Sequence, residues 1–134
     1  HVRMQRHCEN ATEIANYLKK HPKIEKVYWP GFEDHPNHKV AKAQMKDFGG
    51  MLSFVTKGAD YDAAIKIVEK LKIFTLAESL GGVESLAGHP ASMTHASIPK
   101  TLREKSGVVD ALVRLSIGIE DVRDLIADLE QAIG

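Results

Sequence analysis

Residues 112–133 read LVRLSIGIEDVRDLIADLEQAI, a β-type apolar run followed by a capped helical pattern. Residues 112–117 are apolar apart from Arg114 and Ser116, which predicts a short strand. Asp121 then stands where an N-cap is expected, because its carboxylate can accept the first free amides of a helix. The helix that follows gathers its apolar side chains on one stripe: Val122, Leu125, Ile126, Leu129 and Ile133.

The same two patterns recur upstream. Pro22 ends a first amphipathic helix, and Asp60 can cap a later one. Apolar residues at helical spacing predict these further helices: 4–21, 36–45 and 60–71. Short β-branched or alternating runs predict these further strands: 24–29, 51–56 and 73–76.

About four short strands, each accompanied by a helix, fit either a doubly wound parallel sheet or an α+β layer. Residues 51–56 alternate, which favours a sheet with helices on one face. The predicted fold class is α/β of the α+β type. The chain of 134 residues is long enough to bury a core and shows no repeat or linker. A single domain, 1–134, is therefore predicted.

Composition narrows the classes of function. Eighteen basic and eighteen acidic residues balance, so the basic excess of a nucleic-acid binder is absent. No apolar run reaches the about 20 residues of a membrane span, and a helical pattern occupies the place of a signal peptide. Cys8 is the single cysteine, which excludes an internal disulfide. These features predict a cytoplasmic protein with no nucleic-acid or membrane partner, and the first residue is typical of an excised, processed or trimmed chain.

Residues 79–95, SLGGVESLAGHPASMTH, follow neither the helical nor the strand periodicity of apolar residues, and they are rich in glycine and polar residues. Long aperiodic segments inside compact domains are usually functional or disordered, and the apolar residues here indicate order. Ser79 lies beside a glycine pair that makes the backbone accessible, although a turn serine fits equally. Glu84 and Thr94 fit a surface glutamate and a turn threonine as well as they fit a site.

Arg114 interrupts the strand and leaves on the less apolar of its two faces. A guanidinium offers a planar fork that binds a carboxylate through two hydrogen bonds. An arginine on an edge strand can also be solvated, or can pair with Glu84, Glu120 or Asp121. On the residues alone, the structural role is favoured over the carboxylate-binding role.

The seven histidines raise the question of a metal. His35 and His38 have a spacing compatible with two ligands on one helical turn, but no acidic or thiolate side chain nearby completes a set. His89 lies within the aperiodic segment and His95 ends it, so one of them can line a cleft. No metal site is predicted.

Five stretches form a colinear set: HCENATEIANYL from His7, VYWPG from Val27, FGGMLSF from Phe48, SLGGVESLAGHPASMTH and LVRLSIGIED. In this order and spacing they resemble the C-terminal part of the pyridoxal-phosphate (PLP) enzymes of cysteine and methionine metabolism, the transsulfuration family. Cystathionine γ-synthase and γ-lyase are the members that look most similar.

The resemblance implies the C-terminal substrate-binding domain of a larger fold-type I enzyme, with a small, mainly antiparallel sheet. The family's Schiff-base lysine and most cofactor contacts lie upstream, so no catalytic residue is expected in this chain and the isolated fragment is expected to be inactive. The full-length protein is expected to bind pyridoxal 5'-phosphate and to act on sulfur-containing amino acids or activated homoserine. It is also expected to form a homotetramer.

Five residues match positions of the family's substrate site. Arg114 is implied as the anchor of the substrate α-carboxylate. Ser79 and Leu80 are implied as lining residues near the cofactor lysine, and Thr94 as a support of the carboxylate site. Glu84 is implied as the carboxylate that holds the distal amino group of a substrate such as cystathionine.

A free-standing module that binds amino acids or proteins without catalysis is the rival hypothesis. The sequence does not separate γ-synthase, γ-lyase and β-lyase. A domain detached from its larger partner leaves an apolar face uncovered. The residues predicted to form that face are Val83, Leu86, Met93 and Ile98.

Overall fold

The computed structural model of the protein describes residues 1–58 and 60–134. The helices in these ranges are α1 (Val2–Lys20), α2 (His38–Gln44), α3 (Tyr61–Lys70), α4 (Lys100–Lys105) and α5 (Val122–Ile133). The strands are β1 (Ile24–Tyr28), β2 (Met51–Thr56), β3 (Thr75–Leu76), β4 (Leu86–Gly88) and β5 (Leu112–Ser116).

The strands form a mixed sheet in the order β1-β2-β5-β4-β3. All neighbours pair antiparallel except β3 and β4, which are parallel. The predicted α/β class with a mainly antiparallel sheet is confirmed. β5 lies at the centre of the sheet, between β2 and β4, so the interpretation of Arg114 as a residue of an edge strand is wrong.

Three helices pack on one face of the sheet, as the sequence predicts. α1, α3 and α5 contact one another or the strands, and their apolar stripes meet strand residues that point to the same side. Phe54, Val113 and Leu115 are completely buried in this core. The two N-caps are also as predicted, because Asp60 and Asp121 accept from the amides of the second residue of their helices.

The first helix carries the single cysteine on its buried side. Cys8 is 7% exposed, and burial raises the pKa of its thiol. A protonated, buried thiol is a poor nucleophile, so Cys8 is a core residue.

Two short elements are absent from the sequence prediction. β4 has three residues, LAG, and falls inside the segment predicted to be irregular. It forms because it pairs with β5, a tertiary contact that no local period signals. α4 has six residues and is tied to the rest of the fold through the buried Arg103.

Two predicted boundaries move. The strand predicted from Ile73 begins at Thr75, because the amides of Ile73 and Phe74 donate to the carboxylate of Asp128 and leave the sheet ladder. The helix predicted from Pro36 begins two residues later. Such shifts of one or two residues are ordinary at element ends.

The uncovered apolar face is predicted only in part. Val83 is 46% exposed and Ile98 is 39% exposed, as expected of side chains on an uncovered apolar face. The prediction for Leu86 is wrong, because this residue lies on β4 and is only 5% exposed. Met93 is half-buried and its sulfur accepts from the amide of His89. None of the described helices is long and apolar enough to cross a membrane.

Candidate functional site

The centre of the sheet presents Arg114 on the face opposite the three core helices. Its neighbours along β5, Val113 and Leu115, point into the core and are completely buried. Its partners across the sheet are Ser53 on β2 and Gly88 on β4. The predicted alternation of faces is confirmed. Arg114 is half-buried, so its guanidinium remains accessible to solvent at the surface of the sheet.

Gly88 on β4 packs closely against the neighbouring backbone beside Arg114. A Cβ at this position would lie 3.2 Å from the carbonyl oxygen of Ala77, which is closer than an ordinary contact. Nη2 of Arg114 and the sulfur of Met93 would be 3.8 and 3.9 Å away, which are ordinary van der Waals distances. The glycine therefore permits the close approach of the residue 77 backbone to β4.

The guanidinium is held by a backbone oxygen instead of a carboxylate. Nη2 of Arg114 donates to the carbonyl oxygen of Ser79 at 3.0 Å. Among the described residues, no ion pair includes Arg114. A guanidinium has five N–H donors, so most of them are available to a ligand or to water.

The carboxylates proposed as internal partners of Arg114 are engaged elsewhere or face away. Glu120 accepts from Ser85. Asp121 accepts from Arg123, which lowers the pKa of that carboxyl to about 2. Glu84 is exposed, and its carboxylate lies against Gly82. The interpretation of Arg114 as one half of an internal ion pair is therefore wrong.

A small cavity forms around the guanidinium. Thr94 and Arg114 both line it, which brings two of the predicted site residues together. Ser79 contributes its carbonyl oxygen to the same guanidinium. The other lining residues are Ala77, Glu78, Gly88, His89, Pro90 and Met93.

Sequence reasoning missed Glu78, the carboxylate that does line the Arg114 cavity. It immediately precedes the aperiodic segment, and its place next to Ser79 is the signal that the sequence offers. Glu84, in contrast, lines neither the Arg114 cavity nor the cleft beside Leu80.

Leu80 lies in a separate place from Arg114. It is 55% exposed and lines a cleft beside α1 that also contains Ser116. The loop is fastened there, since the amide of Gly81 donates to Oγ of Ser116 at 2.8 Å and the carbonyl oxygen of Gly81 accepts from Arg3 at 2.8 Å. Gly81 has φ of 77°, a conformation that favours glycine.

A buried polar network behind the loop fixes it to the turn after β5. Oε1 and Oε2 of Glu120 accept from the amide and Oγ of Ser85, at 2.6 and 2.9 Å. Oγ of Ser85 accepts from the amide of Gly118 at 2.8 Å. Nδ2 of Asn10, on α1, donates to the carbonyl oxygens of Gly118 and Glu120. Because its members are far apart in sequence, this network could not be predicted from spacing.

The histidines near the site have structural partners. Nε2 of His89 donates to the carbonyl oxygen of Asp110 at 2.7 Å, so Nδ1 accepts from the hydroxyl of Ser92 at 2.8 Å. The hydroxyl of Thr94 lies 2.8 Å from Nδ1 of His95. Within residues 1–58 and 60–134, no group of three His, Cys, Asp or Glu side chains is arranged to hold a metal.

His38 takes part in packing at the start of α2. Its Nδ1 lies 2.8 Å from the carbonyl oxygen of Pro30, and its ring stacks on Phe48. Nδ1 of His35 accepts from the amide of Asn37. The two rings are therefore occupied with different neighbours.

The site thus combines a supported guanidinium, a nearby hydroxyl and a carboxylate on a small α/β domain. The whole chain, residues 1–134, matches the family described as Cys/Met metabolism PLP-dependent enzyme. The chain belongs to this family.

Named relatives of the family support the match over nearly the whole chain. A cystathionine beta-lyase of Coxiella burnetii is 55% identical over 132 residues, and an L-methionine gamma-lyase of Fusobacterium nucleatum is 54% identical. A cystathionine gamma-lyase of Dictyostelium discoideum is 53% identical over 133 residues. Each match covers 98–99% of this chain but 33–34% of the relative. The chain spans about a third of the length of these relatives.

The residues of the Arg114 cavity suit one part of what a PLP-dependent enzyme must bind. A guanidinium with free donors and the hydroxyl of Thr94 match a carboxylate. Neither this cavity nor the cleft beside Leu80 is lined by a lysine. The residues of the Arg114 cavity therefore fit the carboxylate of an amino-acid substrate, and neither of these two places offers an amine to the cofactor.

Proposed function

We propose that this chain is the C-terminal substrate-binding domain of a complete PLP-dependent transsulfuration enzyme that acts on sulfur-containing amino acids. The observation that carries the proposal is the geometry of Arg114. Its guanidinium is fixed by a backbone carbonyl, has no internal carboxylate among the described residues, and lines a cavity with Thr94. The family supplies the reaction class.

Arg114 binds the α-carboxylate through the N–H groups that Ser79 leaves free. The neutral carbonyl of Ser79 orients the guanidinium without cancelling its charge, so the positive charge remains available to an anion. Thr94 lines the same cavity and can donate a hydrogen bond to the carboxylate when Nδ1 of His95 donates to its hydroxyl oxygen. Leu80 lines the separate cleft beside α1, so its place near the substrate is proposed from the family resemblance.

A carboxylate beside Arg114 can bind the ammonium of a longer substrate. Glu84 is the residue that the family resemblance proposes for this role. Glu78 is favoured by the geometry, because it lines the same cavity as Arg114. In a substrate such as cystathionine, the distal amino group provides the cation that such a carboxylate would hold.

The bound cofactor would supply the electron sink of the reaction, and the chain positions the substrate. We place the attachment lysine and the proton transfers in the part of the enzyme outside these 134 residues. A cytoplasmic homotetramer is the proposed state of the complete enzyme. The names of the relatives favour a β- or γ-lyase over a γ-synthase that uses activated homoserine.

The rival is an amino-acid-binding or protein-interaction module without catalysis. The complete polypeptide that carries this chain should be purified, and its visible absorbance and activity measured with PLP. An activated homoserine ester tests for the γ-synthase reaction, and the products separate the two lyase reactions. Cleavage of cystathionine with water gives homocysteine, pyruvate and ammonia in a β-lyase, and cysteine, 2-oxobutyrate and ammonia in a γ-lyase. We expect bound PLP and release of a thiol together with a 2-oxo acid and ammonia from cystathionine or methionine. Binding of amino acids without PLP absorbance or turnover would support the rival.

A further inference from the structure

The loop that contacts Arg114 is bound to the same strand at a second point. Arg114 and Ser116 are two residues apart on β5, so their side chains leave on the same face of the sheet. Nη2 of Arg114 donates to the carbonyl oxygen of Ser79 at 3.0 Å, and Oγ of Ser116 accepts from the amide of Gly81 at 2.8 Å. The strand therefore holds the loop through a guanidinium and through a hydroxyl.

Of these two contacts, the one at Ser116 is made by the more restricted side chain. Ser116 is 3% exposed, and a short buried side chain has little conformational freedom to lose. Arg114 is half-buried, and its long side chain has many rotamers in the absence of a partner. The guanidinium is therefore ordered by the carbonyl that it meets, and that carbonyl needs a fixed position of its own.

The hydrogen bond at Gly81 shortens the length of loop that carries this carbonyl. Before Ser79, the amide of Ala77 donates to a carbonyl oxygen of β4 at 3.0 Å. After Ser79, the amide of Gly81 is the next point of attachment to the sheet. Without it, the next backbone–backbone hydrogen bond of the described loop is that of the Val83 carbonyl oxygen, at 2.9 Å to the turn after β5. Loss of the Ser116 hydroxyl would thus lengthen the unattached span from 78–80 to 78–82.

A contact from α1 restrains the same peptide less firmly. Nη2 of Arg3 donates to the carbonyl oxygen of Gly81 at 2.8 Å, but Arg3 is exposed. Ordering a long exposed side chain costs conformational entropy, and water competes for the same carbonyl oxygen. The buried hydroxyl of Ser116 is therefore the main restraint on Gly81.

We propose that Ser116 is a positioning residue for the substrate carboxylate. Its hydroxyl holds Gly81, which fixes the carbonyl of Ser79, and this carbonyl orients the guanidinium of Arg114. The inference rests on the proposed function, because it requires Arg114 to bind the α-carboxylate. A preorganised binding group loses less freedom when its ligand arrives, so it binds more tightly. Ser116 acts through Arg114 and does not itself contact the substrate.

The test uses the complete enzyme with PLP and compares kcat/KM for an amino-acid substrate with kcat/KM for its α-carboxamide. The ratio of acid to amide reports how well Arg114 recognises a carboxylate. We expect Ser116→Ala to lower this ratio about three- to tenfold, as for the loss of one net hydrogen bond, mainly through a higher KM for the acid.

Ser106→Ala is the matched control and should leave the ratio unchanged. Oγ of Ser106 also bonds to the backbone, at the carbonyl oxygen of Arg103, but Ser106 lines neither the Arg114 cavity nor the cleft beside Leu80. A double variant separates positioning from a purely structural role. Adding Ser116→Ala to Arg114→Ala should not change the ratio further, because the group that Ser116 positions is already absent.

Three outcomes would overturn the inference. If the unaltered enzyme has a large ratio and Ser116→Ala keeps it, the inference fails while the proposed function stands. A ratio near one in the unaltered enzyme, or the absence of PLP-dependent turnover, would overturn both. A Gly81 amide whose hydrogen exchanges as fast as that of a free peptide in the unaltered enzyme would show that the bond to Ser116 is absent. This last measurement decides the question even if Ser116→Ala does not fold.

Discussion

The carboxylate of Glu120 and the buried Ser85 are joined by two hydrogen bonds, at 2.6 Å to the amide and 2.9 Å to Oγ. They stand 35 residues apart in the chain and connect the end of the substrate-site loop to the turn after β5. Asn10 ties that turn to α1. The position of the loop thus depends on a buried polar network as well as on apolar packing.

Replacing Glu120 with Ala should lower the free energy of unfolding by about 1–3 kcal/mol, because the amide of the buried Ser85 is left without an acceptor. Denaturant unfolding of the unaltered and variant proteins measures this difference. Glu25→Ala is the matched control, since Glu25 is exposed on β1, and it should change the value by less than about 0.5 kcal/mol. Equal effects of the two substitutions would contradict the role of the network.

Gly118→Ala should destabilise the protein more than Gly82→Ala. A Cβ at Gly118 would lie 2.5 Å from the carbonyl oxygen of Val83 and 2.6 Å from the amide nitrogen of Ser85, so backbone must move. A Cβ at Gly82 would meet the end of the Glu84 side chain, which can swing away. Thermal unfolding should show a loss of about 1–3 kcal/mol for Gly118→Ala. A smaller loss than that of Gly82→Ala would refute this packing argument.

Asp128 should contribute stability that acid removes. Burial alone would raise the pKa of its carboxyl, but the amides of Ile73, Lys72 and Phe74 outweigh burial and lower it. A depressed pKa in the folded state stabilises the protein above the unfolded value and loses that effect as pH falls through the folded pKa. Asp128→Asn should therefore cost about 1.5–3 kcal/mol near neutral pH.

The same comparison in acid provides the check on Asp128. Urea unfolding of the unaltered protein and of Asp128→Asn, followed downward from pH 7, should show a difference that shrinks below about pH 4. A difference that stays constant down to the acid limit would show that the charge of Asp128 does not contribute.

Glu78 and Glu84 make opposite predictions for substrate choice. If Glu78 binds the distal ammonium of cystathionine, then Glu78→Gln should lower kcat/KM for cystathionine by an amount equivalent to about 1.5–3 kcal/mol. The same variant should lower kcat/KM for methionine less. Glu84→Gln is the matched control, and we expect it to affect the two substrates alike. The reverse pattern would restore the role that the family resemblance gives to Glu84.

The periodic parts of the fold are readable from sequence. The stripes of α1, α3 and α5, the caps at Asp60 and Asp121, and the face of Arg114 depend on spacing within one element. β4 and α4 are too short to carry a period, and they form through pairing with β5 and burial of Arg103. The start of β3 depends on Asp128, which lies more than 50 residues away.

The candidate site shows the same limit. The sequence indicates that Arg114 leaves the apolar face, but it does not tell which carboxylate or carbonyl meets the guanidinium. That partner, Ser79, is 35 residues upstream. The sequence alone does not distinguish Glu78 from Glu84 as the carboxylate of the site. The fold of the segment between β3 and β4 decides which of them lines the cavity.

The most direct test of the carboxylate site compares an amino-acid substrate with its α-carboxamide in the complete enzyme. For the unaltered enzyme, kcat/KM should be roughly 30-fold or more lower on the amide than on the acid, which corresponds to about 2–5 kcal/mol. In Arg114→Ala and Arg114→Lys, the two kcat/KM values should differ far less, because a point charge does not replace the guanidinium fork. The same large ratio in all three proteins would show that Arg114 does not bind the substrate carboxylate.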